Sequence, residues 1–239
     1  MKNWNKFTGA RFFNSWLIIF LSFIIFHSCS NHAIKKAHVI SKPQAMVAAA
    51  HPLAATVGLD ILKQGGNAVD AALAVAFALS MAEPNASGIG GGGLLMMKMN
   101  NQEPIMVDYR EMAPGQATAA YYYQTDSSFA QFTNFGAKAI GVTGLVACAE
   151  LVLPKYGTMS LKQILLPAIE IATNGVIISE NLNRMIVDEL EKIISFPPTA
   201  EIYLSDMLPL EIGSLLKNIA LAGTLQKIAD SGGRIFYSG

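Results

Sequence analysis

The sequence predicts one domain of the mixed α and β class, and two features of the chain carry this prediction. Residues 68–81 are rich in alanine and apolar on nearly every side, which is typical of a buried helix. Two strand-like runs, 94–99 and 105–110, flank the polar segment 100–103, which is the pattern of a β-hairpin. The roughly 200 residues that follow the N-terminal leader are enough for one domain of ordinary size.

The first elements of this domain are predicted from the residues at their ends. Residues 46–50 form a short apolar run that suits a buried strand. A helix should begin near Pro52, because proline is favoured in the first turn, and should stop at the glycine pair that begins at Gly65. Asn67 is a good N-cap for the buried helix, and Asp70 in its first turn suits the positive end of the helix dipole.

Alternation along the second strand of the predicted hairpin separates its side chains into two sets. One face should carry Ile105, Val107 and Tyr109, and the other Met106, Asp108 and Arg110. Arg110 then allows two interpretations, between which the residues alone do not decide. It pairs with Asp108 or Glu111 as a structural ion pair, or it presents its planar guanidinium to a substrate carboxylate.

In the second half of the chain, apolar periodicity predicts helices and prolines predict a loop. Residues 154–158 should join the helix predicted over 145–153 to the helix predicted over 161–173. Asn174 with Gly175 should end the second of these. Residues 195–209, which contain three prolines, are expected to form a loop. The helices are expected over 145–153, 161–173 and about 212–230.

The glycine-rich run 88–93 is the most distinctive local feature of the chain. Gly88, Gly90 and Gly93 spell G-x-G-x-x-G, a dinucleotide fingerprint that requires a strand before it and a helix after it. Here the predicted helix precedes the glycines and the predicted strand follows them, so the context argues against a nucleotide site. Backbone without Cβ atoms can approach a ligand or another backbone closely. The run is therefore either a flexible loop or the wall of an active site.

The N-terminus has the features of a lipoprotein leader. Three basic and no acidic side chains precede an apolar core of eleven residues, 16–26, which falls short of the ~20 that a membrane-spanning helix needs. Ser28 followed by Cys29 resembles the lipobox of bacterial lipoproteins. We expect cleavage before Cys29, lipid attachment there, and a protein held on a membrane of the bacterial cell envelope. The alternative is ordinary secretion with Cys29 free.

Cleavage at this point would divide the chain into a signal peptide (1–28), a polar tether (29–41) and the domain (42–239). Loss of the three basic residues of the leader leaves 14 basic and 17 acidic side chains, a net charge of −3. No basic stripe remains, so we expect no nucleic acid partner.

The domain offers no convincing nucleophile with a base beside it. Only His51 of the four histidines lies in it, and a histidine directly before Pro52 is more typical of a helix start than of a catalyst. Cys148 lies in an apolar helical stretch, which favours packing, and it has no obvious disulfide partner. No histidine and cysteine cluster has metal-ligand spacing, and the tyrosines 121–123 are assigned no role.

The stretch 46–114 resembles the N-terminal part of the γ-glutamyltranspeptidases, also called glutathione hydrolases. Three motifs occur in the order of that family: GGNAVDAA (65–72), the glycine run (88–93) and DYREMAP (108–114). Thr143 stands where the family usually has proline, and residues 181–209 match weakly. Shorter matches follow at GVTG (141–144), KYGT (155–158), residues 167–175, LAGTL (221–225) and FYSG (236–239).

The resemblance implies an N-terminal-nucleophile hydrolase fold, an αββα sandwich of the α+β class. The precursor would cut itself into a large and a small subunit, and the threonine exposed at the small subunit's N-terminus would be the nucleophile. Such an enzyme cleaves the γ-glutamyl amide of glutathione and related compounds, and passes the γ-glutamyl group to water, an amino acid or a dipeptide. In this family the arginine that corresponds to Arg110 holds the substrate α-carboxylate. No cofactor is implied.

The sequence ends at Gly239, inside the part that corresponds to the large subunit. The threonine would lie beyond that point, so no catalytic residue is assigned within this chain. We expect the αββα sandwich to be incomplete, and the chain alone to fold poorly and to lack activity, because the two subunits share their sheets. A second hypothesis is a non-catalytic, membrane-tethered remnant that binds amino acids or a partner protein.

Overall fold

Helices account for most of the regular structure in the computed structural model, which describes residues 45–123 and 133–239. The predicted leader, the tether up to residue 41 and Cys29 lie outside these residues. None of the helices in the described ranges is long and apolar enough to span a membrane. The helices are α1 (Pro52–Lys63), α2 (Ala68–Ala82), α3 (Ala119–Tyr122), α4 (Leu145–Tyr156), α5 (Leu161–Asn174), α6 (Glu180–Asp188), α7 (Leu190–Ile194), α8 (Pro197–Tyr203), α9 (Ile219–Ser231) and α10 (Arg234–Ser238), with a 3₁₀ turn at Ala137–Ala139.

The strands of the described residues are short and pair in twos. They are β1 (Leu94–Met97), β2 (Ile105–Asp108), β3 (Val176–Ile177), β4 (Leu204–Ser205), β5 (Leu208–Pro209) and β6 (Leu215–Leu216). The pairs β1 with β2, β3 with β6, and β4 with β5 are all antiparallel. Helices and antiparallel strands that are not interleaved in parallel units define the predicted α+β class.

The first two helices begin and end as predicted. Pro52 is the first residue of α1, and the imidazole of His51 caps it by accepting the Leu53 N–H at 3.1 Å. Gly65 follows α1 with a φ of 94°, a conformation that favours glycine. A reciprocal capping box between Asn67 and Asp70 starts α2.

Helix α2 is the centre of the core. Ala74, Phe77 and Ala78 are fully buried within it, as predicted for a helix that has no polar face. It packs against α1, α4 and α5 in one hydrophobic cluster, and the inner face of the β1–β2 hairpin adds to that cluster. The alternating exposure of β2 confirms the predicted separation of its two faces.

The predictions for three segments were wrong. Residues 46–50 form no strand, and Met46 is 80% exposed, because three of the five side chains are alanines with little surface to bury. Helix α4 continues through Pro154 to Tyr156 instead of ending before it. The proline-rich segment 195–209 is not a loop, because Pro197 starts α8 at a position where a missing N–H costs nothing.

The helix predicted over about 212–230 also begins later than expected, because α9 starts at Ile219. Residues before Asn218 form a turn at Gly213, where φ is 85°, and then β6, which pairs with β3. Asn218 caps α9 by accepting the Leu221 N–H at 2.9 Å. Apolar residues on both sides of this cap continued the helical pattern of the sequence and concealed the boundary.

Candidate functional site

A cleft of about 650 Å³ brings together the two motifs that the sequence separates by seventeen residues. Its walls are the glycine run, the end of α2, the start of α4 and α9, and Arg110 with Glu111. Arg110 and the glycines of the GIGGGG run therefore face one volume, as an active-site wall and a substrate-binding side chain would.

Backbone hydrogen bonds hold the glycine run in place. Gly93 and Tyr109 exchange N–H to carbonyl bonds of 3.3 and 2.9 Å, which extend the β1–β2 ladder. The Gly91 carbonyl accepts the N–H groups of Gly144 and Leu145 at 3.1 and 3.3 Å. Gly91 and Gly93 are thus bonded to the backbones of α4 and β2, which favours the interpretation of the run as a wall over that of a flexible loop.

Two glycines form a narrow slot around the carbonyl that precedes Arg110. A Cβ atom added to Gly92 would lie 2.3 Å from the Tyr109 oxygen, and one added to Gly144 would lie 1.8 Å from the same atom. Both distances are far inside van der Waals contact, so only glycine fits at either position. The backbone of Arg110 is thus located by two residues that have no side chain.

The guanidinium of Arg110 stays largely available. Its side chain is 67% exposed, and its Nε lies 3.5 Å from Glu111 Oε2. Asp108 does not bind the guanidinium; its carboxylate accepts the backbone N–H of Arg110 at 3.0 Å. Within the described ranges, the terminal nitrogens of Arg110 make no hydrogen bond, so the planar fork is free to bind a carboxylate.

Glu111 links the arginine to the glycine wall. Its carboxylate accepts the Gly92 N–H at 2.8 Å and also faces Arg110. Hydrogen bonds from its own backbone N–H and from Gly92, together with the charge of Arg110, lower the pKa of Glu111 against a smaller opposing effect of burial. The side chain therefore stays ionised while it holds both neighbours.

Asp70 has a structural role outside the cleft that the sequence did not reveal. Its fully buried carboxylate accepts the Thr158 hydroxyl at 2.6 Å and the N–H groups of Asn67, Thr158 and Met159. Burial raises the pKa of Asp70, but these four donors together outweigh burial and lower it. Asp70 thereby joins the start of α2 to the loop after α4, a contact across 88 residues that no local pattern could indicate.

The remaining candidate residues have no catalytic arrangement. Cys148 is buried, and burial raises the pKa of its thiol to about 11, as expected of a packing residue rather than a nucleophile. Tyr121 packs edge-on against Tyr122, and the ammonium of Lys138 lies 4.6 Å from its ring centre. In the described residues, no group of three or more histidine, cysteine, aspartate or glutamate side chains could hold a metal ion.

One polar group in the cleft was not anticipated. The Ser80 hydroxyl is buried at the end of α2 and has no hydrogen-bond partner among the described residues. Its position inside an apolar helix made it look like part of the core.

The order of elements around the glycines, with α2 before them and β1 after them, confirms that the G-x-G-x-x-G context is wrong for a dinucleotide.

Comparison with known proteins decides the family. The family model described as Gamma-glutamyltranspeptidase matches residues 54–239, which include every wall of the cleft. The chain belongs to the γ-glutamyltranspeptidase family. Among its relatives, the glutathione hydrolase proenzyme of Bacillus subtilis (strain 168) is 40% identical over 197 residues, covering 81% of this chain and 33% of the relative. The Escherichia coli (strain K12) glutathione hydrolase proenzyme is 36% identical over 211 residues, covering 84% and 35%.

A solved member of the family has the same fold over most of the chain. The Helicobacter pylori γ-glutamyltranspeptidase aligns with a TM-score of 0.78 and 35% identity, covering 83% of this chain and 57% of that one. The fold is therefore the predicted N-terminal-nucleophile hydrolase fold, present in part. The chain spans about a third of the length of the curated γ-glutamyltranspeptidase relatives named above.

Proposed function

We propose that the protein containing this chain is a γ-glutamyltransferase and glutathione hydrolase. It cleaves the γ-glutamyl amide of glutathione and transfers the γ-glutamyl group to water, an amino acid or a dipeptide. The observation that carries this proposal is the placement of a free arginine fork and a glycine wall in one cleft of a γ-glutamyltranspeptidase chain. The printed name of the two curated relatives, glutathione hydrolase proenzyme, supports the same substrate class.

In this proposal the nucleophile comes from another part of the precursor. A threonine hydroxyl at the N-terminus of the small subunit attacks the γ-carbonyl, and its own amine takes the proton. The amide C–N bond breaks as the amine leaving group receives that proton, which leaves a γ-glutamyl ester on the threonine. Water or an acceptor amine then attacks the ester and restores the threonine hydroxyl.

Arg110 binds the α-carboxylate of the γ-glutamyl group in this reaction. Its two terminal nitrogens can bind both carboxylate oxygens, and this geometry suits arginine better than lysine. Glu111 keeps the guanidinium near the glycine wall through Nε and leaves the outer edge of the fork for substrate. This division of contacts supports a substrate-binding role for Arg110 beyond its ion pair with Glu111.

The replacement Arg110→Lys in the full-length protein tests the proposal. We expect KM for glutathione to rise roughly ten- to a hundredfold, because a charge-assisted hydrogen bond of about 1.5–3 kcal/mol is lost. The thermal unfolding temperature should stay near that of the wild type. Arg184→Lys is the matched control, because Arg184 is exposed on α6 and lies outside the cleft.

Two results would contradict this proposal. Lower thermal stability of Arg110→Lys with an unchanged KM would make Arg110 a structural partner of its neighbours. A stop codon directly after Gly239 in the gene, with no γ-glutamyltransferase activity in the purified product, would favour the non-catalytic remnant. An in-frame continuation with the threonine segment supports the enzyme.

We further propose that the mature protein is anchored to the bacterial cell envelope through a lipid on Cys29. The support is the leader itself, in which an apolar core of eleven residues ends shortly before a serine and cysteine pair. An anchored enzyme in this compartment would meet glutathione and other γ-glutamyl compounds outside the cytoplasmic membrane.

A further inference from the structure

We propose that Tyr237 is a positioning residue for the γ-glutamyl site. From outside the cleft, it keeps the glycine wall and the backbone of Arg110 in their relative positions. This inference rests on the proposed function, because its effect is exerted through Arg110 and the glycine wall. Tyr237 lies on α10, at the far end of the described chain, and it does not line the cleft.

The tyrosine hydroxyl bridges the start of α4. It donates to the Thr143 carbonyl at 2.9 Å and accepts the Ala147 N–H at 3.0 Å. The N-cap of α4 is Gly144, which has no side chain to satisfy the free N–H groups of the first turn. Tyr237 supplies the missing acceptor from 90 residues away in sequence.

The first turn of α4 is the support for both walls of the γ-glutamyl site. The N–H groups of Gly144 and Leu145 hold the Gly91 carbonyl of the glycine wall. Gly144 also lies against the Tyr109 carbonyl, so closely that no Cβ atom fits between them. A shift of this turn therefore moves the glycine wall and the backbone of Arg110 together.

Helix α10 is itself docked at a second point. The Gly233 N–H donates to the Glu150 carboxylate, and a Cβ atom on Gly233 would lie 2.5 Å from Glu150 Oε2. The ring of Tyr237 packs edge-on against Phe236 at a centroid distance of 5.2 Å. Gly233 is bonded to Glu150, and Ile235 and Phe236 pack against the main hydrophobic cluster, so removal of the Tyr237 hydroxyl alone should leave α10 in place and isolate the bridge to α4.

The experiment compares Tyr237→Phe with Phe236→Leu in the full-length, processed enzyme. Tyr237→Phe removes one oxygen from a residue that is 39% exposed, so the variant should fold and mature. We expect KM for γ-glutamyl-p-nitroanilide to rise roughly three- to tenfold, the size of one or two lost neutral hydrogen bonds. Phe236→Leu loosens the packing of α10 but keeps the hydroxyl, and it should lower thermal stability with KM unchanged.

Hydrogen exchange gives a second readout that does not require activity. In Tyr237→Phe the amides of Gly144, Leu145 and Ala147 should exchange faster than in the wild type, in the processed enzyme and equally in an unprocessed precursor. In Phe236→Leu these three amides should keep their wild-type rates relative to the rest of α4.

Arg110→Lys, measured in parallel, separates the two proposals. If Arg110→Lys raises KM and Tyr237→Phe leaves both KM and the three exchange rates within twofold of the wild type, the positioning role is overturned while the proposed function stands. If Arg110→Lys leaves KM unchanged, the proposed function fails instead. Equal changes in KM for Tyr237→Phe and Phe236→Leu would also overturn the positioning role, because packing alone would then explain the effect.

Discussion

At the scale of single residues, Asp70 shows why a buried carboxylate can be stable in an apolar core. Four donors surround it, and three of them come from the loop after α4. An ionised group that is fully hydrogen-bonded recovers the hydration that it loses on burial. Sequence reasoning assigned Asp70 only to the helix dipole, because its partner Thr158 has no sequence proximity that would reveal the contact.

The replacement Asp70→Asn should destabilise the full-length protein by about 2–3 kcal/mol at pH 7, because a buried charged acceptor is lost. The folded-state pKa of Asp70 lies below its unfolded value of about 3.9. Its stabilisation is therefore complete above that value and disappears as the pH falls through the folded-state pKa. The difference between wild type and Asp70→Asn should narrow in urea unfolding below about pH 4.

The control for this measurement is Asp60→Asn. Asp60 is half-exposed and pairs with Lys63 at 2.9 Å on the surface of α1, where an ion pair contributes about 0–1 kcal/mol. A loss for Asp70→Asn no larger than that for Asp60→Asn, or a difference that widens in acid, would contradict the assigned role.

At the scale of elements, the start of α4 determines the geometry of the cleft. Gly144 caps this helix, contacts the Tyr109 carbonyl and binds the Gly91 carbonyl. A helix end with a side-chain cap would stabilise α4 more, but it would not allow β2 and the glycine wall to come so close. The close approach of these backbones therefore requires glycine at position 144.

Gly144→Ala should lower the free energy of unfolding by about 2 kcal/mol or more and raise KM for glutathione, because its Cβ overlaps the Tyr109 carbonyl. Gly223→Ala is the matched control. Gly223 lies inside α9 with nothing within 4 Å of an added Cβ, so alanine should stabilise the helix by about 0.5–1 kcal/mol. Thermal unfolding and steady-state kinetics of both variants check this prediction. Similar changes in unfolding temperature and KM for the two variants would contradict the close fit of Gly144 against the Tyr109 carbonyl.

Helix ends and the hairpin could be predicted because their determinants are local. Pro52, the Asn67 capping box and Gly175 lie beside the boundaries that they determine. Helix α8 was missed because a proline pair was interpreted as a loop rather than as a helix start. The late start of α9 was missed because β6 depends on pairing with β3, about forty residues earlier in the chain.

The candidate site was predictable only in its motifs. The glycine run and Arg110 stand out in the sequence, and the resemblance connects them to a γ-glutamyl substrate. Glu111 and Tyr237 act through contacts with backbone atoms of other segments. Such contacts require the fold, because any carboxylate or hydroxyl could make them and no residue pattern marks the partner.

At the scale of the whole molecule, the chain spans about a third of the length of its curated relatives. The outer face of the β1–β2 hairpin exposes Leu94, Met96 and Met106. An exposed apolar sheet face of this kind is prone to association. The absence of activity and the poor folding expected for residues 42–239 alone stay predictions.

The membrane anchor is a property of the whole molecule that a single substitution tests. Cys29→Ser should move the full-length protein from the membrane fraction to the soluble fraction of fractionated cells, because the lipid has no other attachment site in the proposal. Catalytic constants measured in detergent should not change. Membrane association that persists in Cys29→Ser would contradict the lipoprotein interpretation. Cys148→Ser is the control for the loss of a thiol in general.

The Asp70 contact also affects the order in which the chain can fold. During synthesis, Asp70 leaves the ribosome 88 residues before Thr158, a delay of roughly 4–18 s at about 5–20 residues per second. Helix α2 therefore cannot be buried with its carboxylate charged until α4 has been made. The bridge from Tyr237 to the start of α4 forms later still, because Tyr237 emerges 94 residues after Thr143. The cleft, which is also lined by Asn218 and Leu221, is consequently among the last parts of the described chain to be completed.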